Sequence, residues 1–283
     1  MDLKHIPVRP ANPLARWQKW LGTGTTVVFA GSVLLAGIKT WNPEGGLGTK
    51  QAADSLLLMA TAASTLVSLC SQIPAQNVIL VSVLIGAVTG LVHFVNAMVA
   101  VPLGPLTYHA ENVGRFLISP LPWSVPVLWV VVVLNARGVA RLMLRSRRRT
   151  SHYGFWVMGT TVVLVGLFEL SFQPYATQAR EYWSWKPTKL PWDWYTTPWS
   201  YFLGCAVMTL LLLLFVTPAL INKHPNPKRP SFHPLLVWES LSALMLLGTV
   251  SAHLSTAVVV LSIQMAATGV LSIIGATRRS ARD

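Results

Sequence analysis

The chain has 283 residues, 53% hydrophobic and only 11% charged, where a soluble globular domain carries about 25% charged residues. Nine acidic residues stand against 22 Lys and Arg, for a formal net charge of +13. That is too little charge to coat a soluble body. The basic residues lie in tails and in short connectors between apolar runs, which removes nucleic acid as the partner such a charge would suggest. What remains is an all-α, polytopic transmembrane helical bundle embedded in membrane lipid.

A hydrocarbon core about 30 Å thick takes about 20 apolar helical residues to cross. Eight runs of that kind follow one another, at 21–38, 55–73, 78–100, 122–140, 154–172, 201–221, 235–252 and 256–276. The last two are separated only by the polar cluster of Ser251, His253 and Ser255, so seven spans is the alternative count. Cytoplasmic connectors hold the excess of Lys and Arg. With eight spans and both termini cytoplasmic, sixteen of the 22 basic residues fall inside and six outside. The basic run from Arg145 to Arg149 then reads as an inner-face anchor near anionic headgroups. The expected organisation is a basic cytoplasmic segment 1–20, a single transmembrane domain 21–276 and a basic cytoplasmic tail 277–283, in the inner cell membrane. The first apolar run is longer than a signal-peptide core and has no A-x-A end, so it is expected to stay as a helix. Cys70 and Cys205 fall at opposite ends of their spans, out of reach of a disulfide.

This topology sorts the acidic groups by depth. Asp54 begins the second span at its outer end, Glu111 follows the third, Glu169 lies in the outer end of the fifth, and Asp193 lies in the next outer loop. His93 and Asn96 occupy the outer half of the third span, with Tyr108 just beyond it. Polar groups thus converge on one membrane face, and an ionisable residue within a span is a functional-site hypothesis. Each has a structural alternative: Asp54 as a helix N-cap, His93 as a satisfied buried histidine. Gly86 and Gly90 suit close helix packing. Glu239 alone lies toward the inner side, where it contacts the inner leaflet or pairs with the basic connector before it. His109 and Glu111, two residues apart, do not define a metal site, and no metal is expected.

Glu169 is the hardest to explain structurally, because an apolar run precedes it and no cation is near in sequence. A carboxyl in such surroundings is cheaper to keep neutral than charged, and a neutral acid can donate a proton. The loop YWSWKPTKLPWDWYTTPWSY, residues 182–201, adds Trp183, Trp185, Trp192, Trp194, Tyr195 and Trp199. An interfacial aromatic belt explains part of it. A groove for a long apolar substrate, whose ring faces also stabilise a cation, explains the rest. No D-D-x-x-D pair, phosphate-binding glycine loop, dinucleotide fingerprint or histidine box occurs. The chemistry left is cofactor-free acid and base work, or none.

Two stretches carry a resemblance. PLGPLTYHAENVGRFLISPLPWSVPVLW, residues 102–129, and GLFELSFQPYATQAREYWSWKPTKLPWDWYTTPWSYFLG, residues 166–204, make up about a quarter of the chain. Together they resemble the carotenoid biosynthesis membrane proteins that include the CruF-type carotenoid 1,2-hydratases. Where that family is expected to read Asp-x-x-x-Asp-Pro, this chain has Glu169, then Gln173 before Pro174. Where Asn is expected before Phe-Leu-Gly-Trp, it has Tyr201 before Phe202-Leu203-Gly204-Cys205.

The resemblance implies a lyase that adds water to the terminal 1,2 double bond of an acyclic or monocyclic carotenoid without a cofactor, alongside other carotenoid biosynthesis enzymes as candidate partners. Glu169 would be the acid, with Glu111 or Asp193 as a water-orienting base and Asp54 as the remaining outer carboxylate. Trp183 and Trp185 would wall the cation; Tyr108, Trp194, Tyr195, His93 and Asn96 would contact substrate. A non-enzymatic carotenoid- or isoprenoid-binding protein or transporter, and a carotenoid cyclase, are the alternatives.

Overall fold

A computed structural model describes residues 13–42, 48–187, 192–221 and 230–277. The long helices are α1 Pro13–Trp41, α2 Lys50–Cys70, α3 Ala75–Val99, α5 Ser124–Met143, α6 Tyr153–Pro174, α7 Trp199–Val216, α8 His233–Ser251 and α9 Ser255–Thr277; α4, Ala110–Val113, is a single turn in a loop. Among the described residues, eight helices are therefore long and apolar enough to cross a membrane. Val28, Leu34, Leu80, Val83, Phe215 and Ile263 are all more than half exposed. Apolar exposure on that scale suits hydrocarbon and would be unsuited to water.

The count of eight is decided between α8 and α9. At His253 the backbone turns left-handed, with φ at 57°, and the Leu254 N–H caps the carbonyl of Thr249. Eight crossings return the end of α9 to the face from which α1 starts. Helix ends differ from the expected spans for local reasons. α1 begins at Pro13, well before residue 21. α7 stops at Val216 where residue 221 was expected, because Pro218 cannot continue the helix and starts a short 3-10 turn. Segments 1–12, 222–229 and 278–283, which carry Lys4, Arg9, Lys223, Lys228, Arg229, Arg278, Arg279 and Arg282, lie outside the described residues. So does Lys189.

α5 is the central post. Its sequence SVPVLWVVVVLNARGVARLM is apolar on nearly every side, and a helix of that kind belongs inside a bundle. It packs against α2, α3, α6, α8 and α9, while α1 lies outside against α2 and α8, and α7 against α6 and α3. Two glycines let helices touch this post: a Cβ at Gly138 would overlap Pro234 of α8, and one at Gly275 of α9 would overlap the carbonyls of Leu142 and Met143. Gly86 and Gly90 of α3 face Pro126 of α5, where a Cβ would sit in ordinary contact. Cys70 and Cys205 are both free thiols, at the end of α2 and near the start of α7.

One end of the bundle carries a roof of short strands. β1, Leu106–Tyr108, follows α3 and pairs antiparallel with β4, Trp183–Trp185, so that Tyr108 lies opposite Trp183. Two small hairpins complete it: β2, Phe116–Ile118, with β3, Leu121–Pro122, and β5, Asp193–Trp194, with β6, Thr197–Pro198.

Candidate functional site

Glu169 sits near the roof end of α6 and is 2% exposed. Gln173, one turn further on the same helix face, donates Nε2 to Glu169 Oε2 at 3.0 Å. Tyr201 at the start of α7 donates its hydroxyl to the same oxygen at 2.7 Å. Gln173 Oε1 in turn accepts the indole N–H groups of Trp183 and Trp185, at 3.1 and 3.3 Å, and the Thr197 hydroxyl at 3.4 Å. Indole nitrogen can only donate, so the amide has one orientation and must present its NH₂ to Glu169. Both bonds to the carboxyl land on Oε2. Among the described residues Oε1 has no hydrogen-bond partner, and it is the oxygen that a proton would occupy in the neutral acid.

A second chain of groups approaches from α3 and α5. Trp129 Nε1 donates to His93 Nε2 at 2.9 Å, and His93 Nδ1 lies 3.1 Å from the Tyr108 hydroxyl. Because Nε2 accepts, a neutral imidazole carries its hydrogen on Nδ1 and donates it to the Tyr108 oxygen. The Tyr108 phenol lies in the loop outside the spans, and its titration is pushed above the ordinary value, first by burial, then by Cys205 and Glu169. Asn96 is spent on backbone. Its Oδ1 accepts from the N–H groups of Leu103 and Gly104, and its Nδ2 donates to the Gly104 carbonyl, fixing the loop that leads into β1. Gly104 adopts φ of +110° there with Pro198 packed against it, a conformation suited to glycine.

His93, Tyr108, Trp129, Glu169 and Tyr201 line one small chamber, with Trp183 and Trp185 as aromatic walls. It offers about 10 Å³ to the centre of a water-sized sphere, the room of a single water. The walls meet edge to face: Trp185 on Tyr201 at 5.0 Å, Phe172 on Trp183 at 5.7 Å, Tyr108 on Trp183 at 6.0 Å. Beside the chamber, sharing Val125, Leu128, Phe172 and Trp183 with it, runs a larger apolar slot of about 110 Å³ between α2, α5, α6 and α8. The slot begins at Asp54, Asn112 and Ser124 under the roof and reaches Thr61, Val131 and Leu241. At 1.5 Å per helical residue that is about 10 Å of depth.

Asp54 closes the rim as half of an ion pair. Its Oδ1 is 3.0 Å from Arg180 Nη2 and its Oδ2 accepts the Tyr182 hydroxyl at 2.7 Å. Arg180 also donates to the Tyr175 hydroxyl, to Thr40 Oγ1 and to the Ala36 carbonyl, tying α1 and α2 to the end of α6. Burial works against the Arg180 charge, but Tyr175 and Asp54 outweigh it and hold the guanidinium above its ordinary value. Asp54 is not a helix cap; Thr49 is, accepting the Ala52 N–H.

Of the residues expected from sequence, Glu169, Tyr108, His93, Trp183 and Trp185 come together in the chamber. Glu111 and Asp193 do not: both are exposed, and neither lines the chamber or the slot. Trp194 donates to the Leu170 carbonyl and Tyr195 accepts the Ala257 N–H, so both fasten the β5–β6 hairpin onto helices. Glu239 accepts from Thr268 across α8 and α9. Sequence reasoning missed Arg180 and Trp129 and did not see that Gln173 and Tyr201 bind Glu169; the spacing of four between Glu169 and Gln173 was the available signal.

A multi-pass membrane bundle with a buried acid in a small chamber beside an apolar slot is the class that this fold and site define. The chain belongs to the carotenoid biosynthesis protein family, which it matches over residues 51–273, and its role lies in carotenoid biosynthesis. No curated protein and no solved structure matches it.

Proposed function

We propose that the protein hydrates the terminal 1,2 double bond of an acyclic carotenoid end group without a cofactor. The supporting observation is that the apolar slot and the Glu169 chamber share a wall, with Glu169 Oε1 free of any partner among the described residues. A polyene in the slot brings its end group to that acid when the side chains of the shared wall, Phe172 and Trp183 among them, move aside. The Glu169 O–H breaks as a C–H bond forms at C2, and the π electrons leave a tertiary cation at C1. The faces of Trp183, Trp185 and Tyr201 stabilise that charge. Water oxygen bonds C1, and the proton it loses returns to Glu169, so the sum is addition of one water. Glu111 and Asp193 take no step in this scheme.

The proposal includes orientation: both termini on the cytoplasmic side of the inner membrane and the roof on the far side, as the distribution of Lys and Arg suggests. Expression in a host that accumulates lycopene or γ-carotene, followed by chromatography and mass analysis of pigments, tests the reaction. The expected result is a product one water heavier, absent with Glu169→Gln at equal membrane insertion. New rings at unchanged mass would make the protein a cyclase, and unaltered pigment would make it an isoprenoid-binding protein.

A further inference from the structure

The Trp129–His93–Tyr108 chain has a spare hydrogen. Tyr108 oxygen accepts from His93 Nδ1, and His93 Nε2 is already taken by Trp129. The phenolic hydrogen therefore has no acceptor in that chain, and Tyr108 lines the same chamber as the unpartnered Glu169 Oε1. That chamber has room for about one water, which needs two or more polar partners to be held.

We infer that Tyr108 and Glu169 Oε1 form the binding site for the reacting water, with His93 as the residue that positions Tyr108. The inference rests on the hydratase reading and deepens it. Tyr108 donates its hydroxyl hydrogen to the water oxygen. One lone pair of that oxygen stays free to bond C1, and one water hydrogen points at Glu169, which has become a carboxylate after protonating C2. Tyr108 gives up no proton and ends the cycle as it began. Without a held water, the cation at C1 has another way out: loss of a proton from C2 to the Glu169 carboxylate, which restores the alkene.

Deuterium separates the two steps. In membranes incubated in D₂O, Glu169→Gln is expected to yield neither hydrated product nor deuterium in recovered carotenoid. Tyr108→Phe is expected to lower hydrated product about tenfold or more, the value of one hydrogen bond to a charged or reacting group, while recovered substrate gains deuterium at C2. That gain itself reports a folded, substrate-binding enzyme. His93→Leu should reproduce the Tyr108→Phe pattern, and His93→Gln, which can still accept from Trp129 and donate to Tyr108, should restore hydration in part. Parallel loss of both signals in Tyr108→Phe, or retention of full hydration, would overturn the assignment. Wild type that exchanges no deuterium and adds no water would overturn the hydratase reading itself.

Discussion

Gln173 holds Glu169 and the aromatic roof with one amide, donating to the Glu169 carboxyl at 3.0 Å while its oxygen gathers the N–H groups of Trp183 and Trp185. The acid and its walls are thus registered to each other through a single side chain.

Gln173→Leu should leave buried indole donors unpaired, at about 1–3 kcal/mol for each. Chemical denaturation in detergent should show the loss, and unchanged stability would mean that the indoles find other acceptors.

Tyr201→Phe removes one of the two donors on Glu169 Oε2 and keeps the ring that packs on Trp185. Stability should fall by about 1 kcal/mol. Pigment conversion should fall by a larger factor than Tyr182→Phe produces, since Tyr182 bonds Asp54 at the rim.

Breaking the rim ion pair should cost about 3 kcal/mol in either Asp54→Asn or Arg180→Gln, the low end of the range for a buried pair, because Asp54 is still 15% exposed. The double variant should cost less than the sum of the two singles, a coupling measurable by a thermodynamic cycle. Strict additivity would mean the pair contributes nothing.

Gly138→Ala and Gly275→Ala should each destabilise by about 1–3 kcal/mol through overpacking on α5, because the new methyl would meet Pro234 or backbone carbonyls. Gly86→Ala and Gly90→Ala should be tolerated, since a Cβ there is in ordinary contact 3.6 Å from its nearest neighbour.

The Tyr182 phenol is held well above its ordinary value, first by burial, then by Tyr175 and Asp54. The unfolded chain releases this proton near pH 10, so the folded state binds it more tightly. Its stabilising effect is complete below that pH and is lost as pH rises. Phenolate absorbance from this residue should appear together with loss of helix signal; its appearance in a fully helical sample would contradict the burial.

Hydropathy made the eight spans legible, because crossing hydrocarbon needs length and apolarity that no other demand on the chain imitates. The same topology placed Glu169, His93 and Tyr108 at one depth. Depth is a single coordinate, though. Glu111 and Asp193 share that level yet point outward, and nothing in their neighbours encodes the lateral direction. The slot was invisible for a related reason: four helices far apart in sequence build it, and each contributes residues that look like any other lipid-soluble face. Arg180 read as loop charge because its partner Asp54 lies 126 positions earlier. The spaced pair Gly86 and Gly90 is not where the packing is tightest; at Gly138, Gly248 and Gly275 a Cβ would overlap a neighbour, and no spacing motif marks them.

The β1–β4 ladder has a consequence for traffic. It sews the loop after α3 to the loop after α6 by backbone hydrogen bonds, so lifting the ceiling over the acid means unpicking main chain. Below it the slot is lined by side chains such as Leu58, Phe172 and Leu244, and a side chain can yield by rotating. The ceiling is therefore the stiff part of the site, and an entering molecule is accommodated by side chains while the ladder stays closed.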